Sequence, residues 1–519
     1  MLSYDELTPP ERELWDAFPE GRHVDLRTGT PGEDRVTEGG QWGPERTVRA
    51  TVIAVLLSGG NAPRPGAAPG LRLAGARISG HLDLSDLELG QALRIEECWF
   101  EEAPTLQGAS TRTIRIMDSR LPGLDAGLAR VEGHLDLSRS RVEGCLNLLN
   151  ASVAGELVLN GTRVCVAKGW AVIADGLDMG GGIFCMHGFT ARGGIRLLGA
   201  QLPGGLFMQR AHVESPVPLG RPGPRGVALA LDNVVASTLN LSDGFTSDGT
   251  VRLRGARVSD TLTFAGAVLN AAPGGDGTAL AGPLMQVTDF DVTCAQSPSG
   301  TVDLRGAQVS RLRDNEHSWP ETVELDGFVY GSVETLEAVE ATEAGERREV
   351  RRRRQSVAYR VGWIRRSPGY SPQPYEQLAS WYRTTGHDDD ARRVLLAKQR
   401  HRRRTLRPAA QVWGHVLDMT VGYGYRPWLA GIWLLALTLL GNLAFRTQPP
   451  TPVKEGEGAP FQPLVYTLDL LIPIGGLGQR TAWYWSNGSL QWLAHLLIAF
   501  GWVLTTAVIA GATRALQKD

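Results

Sequence analysis

Along the first two thirds of the chain, apolar residues return every eleven positions. In the stretch ARVEGHLDLSRSRVEGCLNLLNASVAGELVLNGTRV, Val131, Val142, Val153 and Val164 fall in register. So do Gly133, Gly144 and Gly155, and the pairs Leu135/Leu137, Leu146/Leu148 and Leu157/Leu159. The phase extends back through Leu71/Leu73, Leu82/Leu84 and Leu93/Ile95, and forward through Ile195/Leu197, Leu206/Met208, Val251/Leu253 and Leu262/Phe264. Each unit carries L-x-L, which puts both side chains on one face of an extended strand. Eleven residues would also make three helical turns, but the frequent Gly, Ser and Asn disfavour helix and mark bends. A unit this short cannot bury its apolar face alone, so the units must stack into one continuous core. Two units per coil give roughly a dozen coils from Leu71 to Tyr330 at the ~4.8 Å strand spacing, a mainly β solenoid on the order of 55 Å long.

A stacked rod exposes strand edges at its ends, which need covering. Residues 1–70 are the expected amino-terminal cap: Thr8-Pro9-Pro10-Glu11 reads as a helix start, with a short helix to Phe18, and VRATVIAVLLSG follows from Val48. Breaks in the period near Pro203, Ser215–Arg225 and Ala271–Gly282 read as protruding loops. The phrase GARISGHLDLSDLEL, Gly75–Leu89, resembles the repeats of pentapeptide-repeat and bactofilin proteins. That resemblance implies a right-handed parallel β-helix presenting a surface to an unidentified protein or small-molecule ligand.

After Tyr330 the composition changes. Residues 331–410 read as a basic helical neck: VETLEAVEATEAGERREVRRRRQSVAYRVGWIRR runs from acidic to basic without a turn residue until Pro368, as a solvated helix would. A helix pair follows, Pro374–Thr385 and Asp389 to before Pro408, broken at Gly386 and faced by Tyr375, Leu378, Tyr382, Ala391, Val394 and Leu395. The pair is similar to one tetratricopeptide unit. Lys398, Arg400, Arg402, Arg403, Arg404 and Arg407 then lie just ahead of an apolar run. Such a run is either a solvated face or a contact for anionic lipid head groups, each cation near the surface contributing about 1 kcal/mol. The net charge of -2 disfavours a nucleic-acid partner.

Residues 411–519 form the expected membrane module. Trp428–Phe445 is uncharged and apolar, Leu490–Ala512 is interrupted only by His495, and both approach the ~20 residues a spanning helix needs. Trp428, Trp483, Trp485 and Trp492 sit near the ends like interfacial aromatics. The basic neck before the first span, Arg514 and Lys518 after the second, and an amino terminus unlike a secretory signal place both termini in the cytoplasm of a two-span cell-membrane protein.

Between the spans, residues 461–480 read FQPLVYTLDLLIPIGGLGQR. The apolar part, Leu464–Leu477, is too short to span and long enough to re-enter the bilayer. Span, polar turret, short apolar helix, glycine turn and span together are similar to the two-helix pore module of tetrameric potassium channels. Laid on that family's filter, Ile474, Gly475, Gly476, Leu477, Gly478 and Gln479 keep both glycines. They replace its hydroxyl, aromatic and acidic positions by Ile, Leu and Gln. The resemblance implies a homo-oligomer, a tetramer in that family, around a channel-like loop.

The phrases PQPYEQLA, Pro372–Ala379, and YTLDLLIP, Tyr466–Pro473, make the whole chain similar to actinobacterial membrane proteins often labelled membrane-associated oxidoreductases. No dinucleotide, Walker, zinc-protease or nucleophile-elbow motif accompanies that label. The five cysteines, Cys98, Cys145, Cys165, Cys185 and Cys294, contain no CxxC pair. No catalytic residue, cofactor or metal is therefore expected, and the functions in play are a membrane-anchored scaffold or sensor, an ion channel with an altered filter, and an oxidoreductase.

Overall fold

A computed structural model describes residues 3–215, 226–337, 351–352, 357–425, 428–454, 459–472, 476–485 and 488–516. The chain divides into two units, Met1–Gly369 and Tyr370–Asp519.

The first unit is a parallel β-solenoid. Leu71 pairs with Leu93, Leu93 with Ile114, Ile114 with Leu135 and Leu135 with Leu157, so one coil takes two eleven-residue units. A coil carries four short strands, such as Arg130–Val131, Leu135–Asp136, Arg141–Val142 and Leu146–Asn147. They stack into three long parallel sheets, one of which turns a corner and carries two of the four faces. The L-x-L leucines and the repeating valines point inward and are buried along the stack.

Two rows of corner residues explain the glycine and small-polar repeat. Once in each eleven residues the backbone enters the left-handed region, at Asp86, Glu97, Gly108, Asp118, Leu128, Arg139, Asn150 and Gly161. Gly, Asn and Asp take that conformation at least cost. The other row is steric. A Cβ on Gly155 would stand 2.5 Å from the Gly133 carbonyl oxygen, and one on Gly181 2.6 Å from that of Gly155. Interior polar groups form their own ladder: Ser119 Oγ accepts from the Cys98 amide at 3.0 Å, and Ser140 Oγ from the Ser119 amide at 3.1 Å.

The chain departs from the eleven-residue beat where coils lengthen. Leu206 pairs with Leu239, and Leu262 with Phe290. The loop expected at Ala271–Gly282 extends only to Gly277, because Thr278–Ala281 is a strand paired with Thr250–Arg252; the one expected at Ser215–Arg225 lies, from residue 216, outside the described residues. At Pro203 no loop protrudes. The Gly205 amide closes an ordinary corner on the Leu202 carbonyl at 3.0 Å, because Gly204 and Gly205 continue the glycine row.

Both ends of the stack are covered. Helix α1, Pro9–Ala17, starts at Thr8, whose amide donates to Glu11 Oε2 at 2.9 Å. Strands His23–Asp25 and Thr47–Arg49 pair with the first full coil, Val24 against Leu73 and Val48 against Ile78, and α2, Ala50–Leu57, buries Val52, Ile53, Leu56 and Leu57. Glu11 is fully buried, and Arg49 donates to it from its amide at 2.9 Å and its Nε at 2.8 Å.

At the other end the expected solvated helix from Val333 is replaced by strand. Val329–Glu337 continues the sheet, and Leu336 pairs antiparallel with Arg352; residues 338–350 and 353–356 lie outside the described residues. Sheet register overrides helix propensity there, since Ser332 to Thr335 pair residue by residue with Arg311 to Asp314. Helix α3, Val357–Ile364, lays Trp363 against Trp319, Phe328 and Tyr330. Its Arg360 makes a bidentate pair with Asp314, Nη1–Oδ2 2.6 Å and Nη2–Oδ1 2.9 Å, while Trp319 Nε1 and Thr335 Oγ1 also donate to that carboxylate at 2.8 Å.

The second unit is helical. α4, Gln373–Thr384, and α5, Asp388–Arg404, pack as a pair that buries Tyr375, Leu378, Tyr382, Ala391, Val394 and Leu395, the face expected. α6, Pro408–Val421, leads to a turn in which Tyr423 has a φ of 54°. α7, Trp428–Thr447, and α10, Ser489–Leu516, follow, each containing a window long and apolar enough to cross a membrane. Between them lie α8, Pro463–Leu471, and the single turn α9, Gln479–Ala482.

Candidate functional site

α8 occupies a slot between the two long apolar helices, and glycines cut the slot. A Cβ on Gly441 of α7 would meet Thr467 Cγ2 at 2.4 Å, and one on Gly501 of α10 would meet the Leu471 carbonyl oxygen at 2.3 Å. Phe445, Tyr466, Leu470, Leu471, Ala494 and Leu497 form the cluster that seals it. Tyr466 packs edge-on to Phe445 at 5.1 Å, and its hydroxyl accepts from Trp485 Nε1 at 3.1 Å. α8 has Pro463 in its first turn, where no amide partner is lost, and ends at Ile472 in extended backbone.

A single carboxylate organises the turn that follows. Asp469 is buried on α8, and its oxygens accept from the amides of Leu477 at 2.7 Å and Arg480 at 2.6 Å. A charged acceptor on two backbone donors fixes the loop more firmly than neutral bonds would. Gln479, also buried, donates from Nε2 to the Pro460 carbonyl at 3.0 Å and ties the return of the loop to its start. Of the six filter-like positions, Gly476, Leu477 and Gly478 are exposed, Gly478 at a φ of 81°, while Gln479 points inward. Ile474 and Gly475 lie outside the described residues. Asp469 was not singled out in the sequence, although a lone carboxylate inside YTLDLLIP was the available signal.

The outer faces of the two long helices stay apolar and uncovered. Trp428, Ile432, Leu435, Leu439 and Leu443 form a stripe at helical spacing on α7, and Trp492, Leu496, Phe500 and Val503 form another on α10. Only 22% of each spanning window is buried.

The basic run divides into two groups. Arg400 and Arg403 bind Asp418 of α6 at 2.9 and 3.1 Å, and Lys398 pairs with Glu376. Burial pushes the Asp418 carboxyl up, but the two guanidinium partners outweigh it and hold the group below the usual carboxylate range. Arg402, Arg404 and Arg407 are exposed and make no ion pair among the described residues. They remain available to an anionic surface, whereas the other three brace α4, α5 and α6.

The solenoid carries no reactive thiol at its buried cysteines. Burial pushes Cys98 and Cys294 up to about 12, and Cys185 higher still, so none is a thiolate near neutral pH. A concavity of about 880 Å³ runs along the later coils of the solenoid and is lined by Arg257, Ser259, Gln286, Thr288, Gln308 and Ser310. No family description, no curated protein and no solved structure matches the chain. The architecture is a parallel β-solenoid of about 12 turns followed in the chain by a helical region with two candidate membrane helices.

Proposed function

We propose that the protein is a membrane-anchored β-solenoid scaffold or sensor. Its carboxy-terminal helices insert in the bilayer as two spans and assemble several copies around the loop at 461–480. The solenoid is taken as right-handed, the hand of nearly all parallel crossovers. The observation that carries the reading is the slot: two helices with bare apolar outer stripes hold a third, too short to span, whose following turn is pinned by the buried Asp469. In water such stripes would aggregate; in lipid they are satisfied, and α8 finds its partners inside the protein. Arg402, Arg404 and Arg407 meet anionic head groups at the cytoplasmic surface.

The decisive measurement is the mass of the detergent-solubilised assembly, together with cysteine labelling at positions 470–478. The proposal expects a multimer in which most of these positions are protected from a membrane-impermeant reagent. A monomer would remove the shared loop, and uniform labelling would remove the re-entrant one. A second reading, ion conduction through the same assembly, is favoured by the exposure of Gly476, Leu477 and Gly478 on the pinned turn. It expects ion flux in liposomes that disappears on Gly476→Val and Gly478→Val; assembly without flux leaves the scaffold alone.

A further inference from the structure

The first coils of the solenoid place arginines directly above one another. Arg72 pairs in register with Arg94, and Arg94 with Arg115, on adjacent parallel strands. Strands in a sheet lie about 4.8 Å apart, so three guanidinium stems leave the sheet at that spacing on one outward face. Arg112, from the corner just before Arg115, joins them, and all four line one depression of about 350 Å³ with Gln91 and Thr113. Like charges directly opposite one another on a sheet are destabilising. Only Arg94 has a carboxylate partner, Glu96; Arg72, Arg112 and Arg115 have none among the described residues. Three guanidinium groups without an ion pair among the described residues thus share a single concavity, with Asp136 on the next coil the register neighbour of Arg115 alone.

A second arginine ladder on another face makes the contrast. Arg120, Arg141 and Arg163 are also in register, but Glu143 stands between the first two, pairing with Arg120 and lying 3.1 Å from Arg141. There the fold supplies an anion to Arg120 and Arg141, though Arg163 makes no ion pair among the described residues. On the first face an outside anion would do so, and it must present several negative oxygens in a row. Guanidinium forks bind phosphate oxygens in pairs, with charge-assisted bonds.

We propose that Arg72, Arg94, Arg112 and Arg115 form a binding site for a short phosphate chain, either free or carried by a nucleotide. The site lies wholly within the solenoid and stands independently of how the membrane module assembles. Purified full-length protein in detergent is titrated calorimetrically with sodium tripolyphosphate, ATP and orthophosphate. Saturable tripolyphosphate binding is expected, at least about tenfold tighter than orthophosphate, as several charge-assisted bonds require. ATP binding as tightly as tripolyphosphate, or more tightly, supports the nucleotide-borne chain, and tripolyphosphate alone supports the free one. Arg115→Gln is expected to weaken binding about tenfold or more, and Arg163→Gln on the other ladder to leave it unchanged. Without ligand, Arg115→Gln is expected to keep or raise the thermal midpoint, because repulsion is relieved. Absence of saturation, no preference over orthophosphate, equal binding by Arg115→Gln, or a clear fall in its ligand-free midpoint would each overturn the site.

Discussion

Two buried charges secure the ends of the solenoid, and they differ in what they risk. Burial would raise the pKa of Glu11, but the Arg49 guanidinium and the amides of Thr8 and Arg49 outweigh it and hold the carboxyl down to about 2. A depressed carboxyl stabilises the fold fully above its unfolded pKa near 4.5 and loses that contribution as the pH falls towards 2. With Arg49 partly exposed, the loss is on the order of 2 kcal/mol. Glu11→Gln is therefore expected to be less stable than wild type at pH 6 and to lose less stability between pH 4.5 and 2, read from urea midpoints across that range. At the other end, Arg360 and Asp314 are both out of solvent. Removing one partner leaves an uncompensated buried charge, which costs about 3–5 kcal/mol. Arg360→Met should lower the urea midpoint accordingly, and Asp314→Leu added to it should recover part of the loss. Glu11 and Arg360 are invisible as partners in the sequence, standing 38 and 46 positions from Arg49 and Asp314.

Among elements, the slot for α8 depends on two missing side chains. Gly441→Val and Gly501→Val would drive atoms into Thr467 and the Leu471 carbonyl, and overpacking of this kind costs about 1–3 kcal/mol or more. Gly431, on the same helix as Gly441, has open space around it, so Gly431→Val is the control. Thermal midpoints in detergent should fall for the first two variants and stay for the third. The helix pair α4 and α5 was legible from its apolar spacing, and both long apolar helices from their hydropathy. The strand at Val329–Glu337 was not, since local charge and the lack of turn residues suit a helix while the neighbouring strand dictates the register.

For the whole molecule, the period of eleven and the coil of two units make separate predictions. Deleting residues 136–157 removes one coil and joins Leu135 to Val158, the residue that follows its own register partner Leu157. The shortened rod should keep its β circular dichroism and a cooperative melt. Deleting residues 136–146 instead rotates every later coil by half a turn and sets unlike corners over one another. It should lower the melting temperature sharply or abolish the transition.

The sequence alone determined the eleven-residue repeat, the inward face of each strand, the helix pair and the two apolar helices. All of these follow from side-chain periodicity, which is local. Only the tertiary structure decided which arginines are neutralised, which glycines are contacts rather than bends, and that Asp469 holds the turn after α8. Those depend on what another coil or helix brings within a few ångströms, and spacing along the chain does not encode that distance.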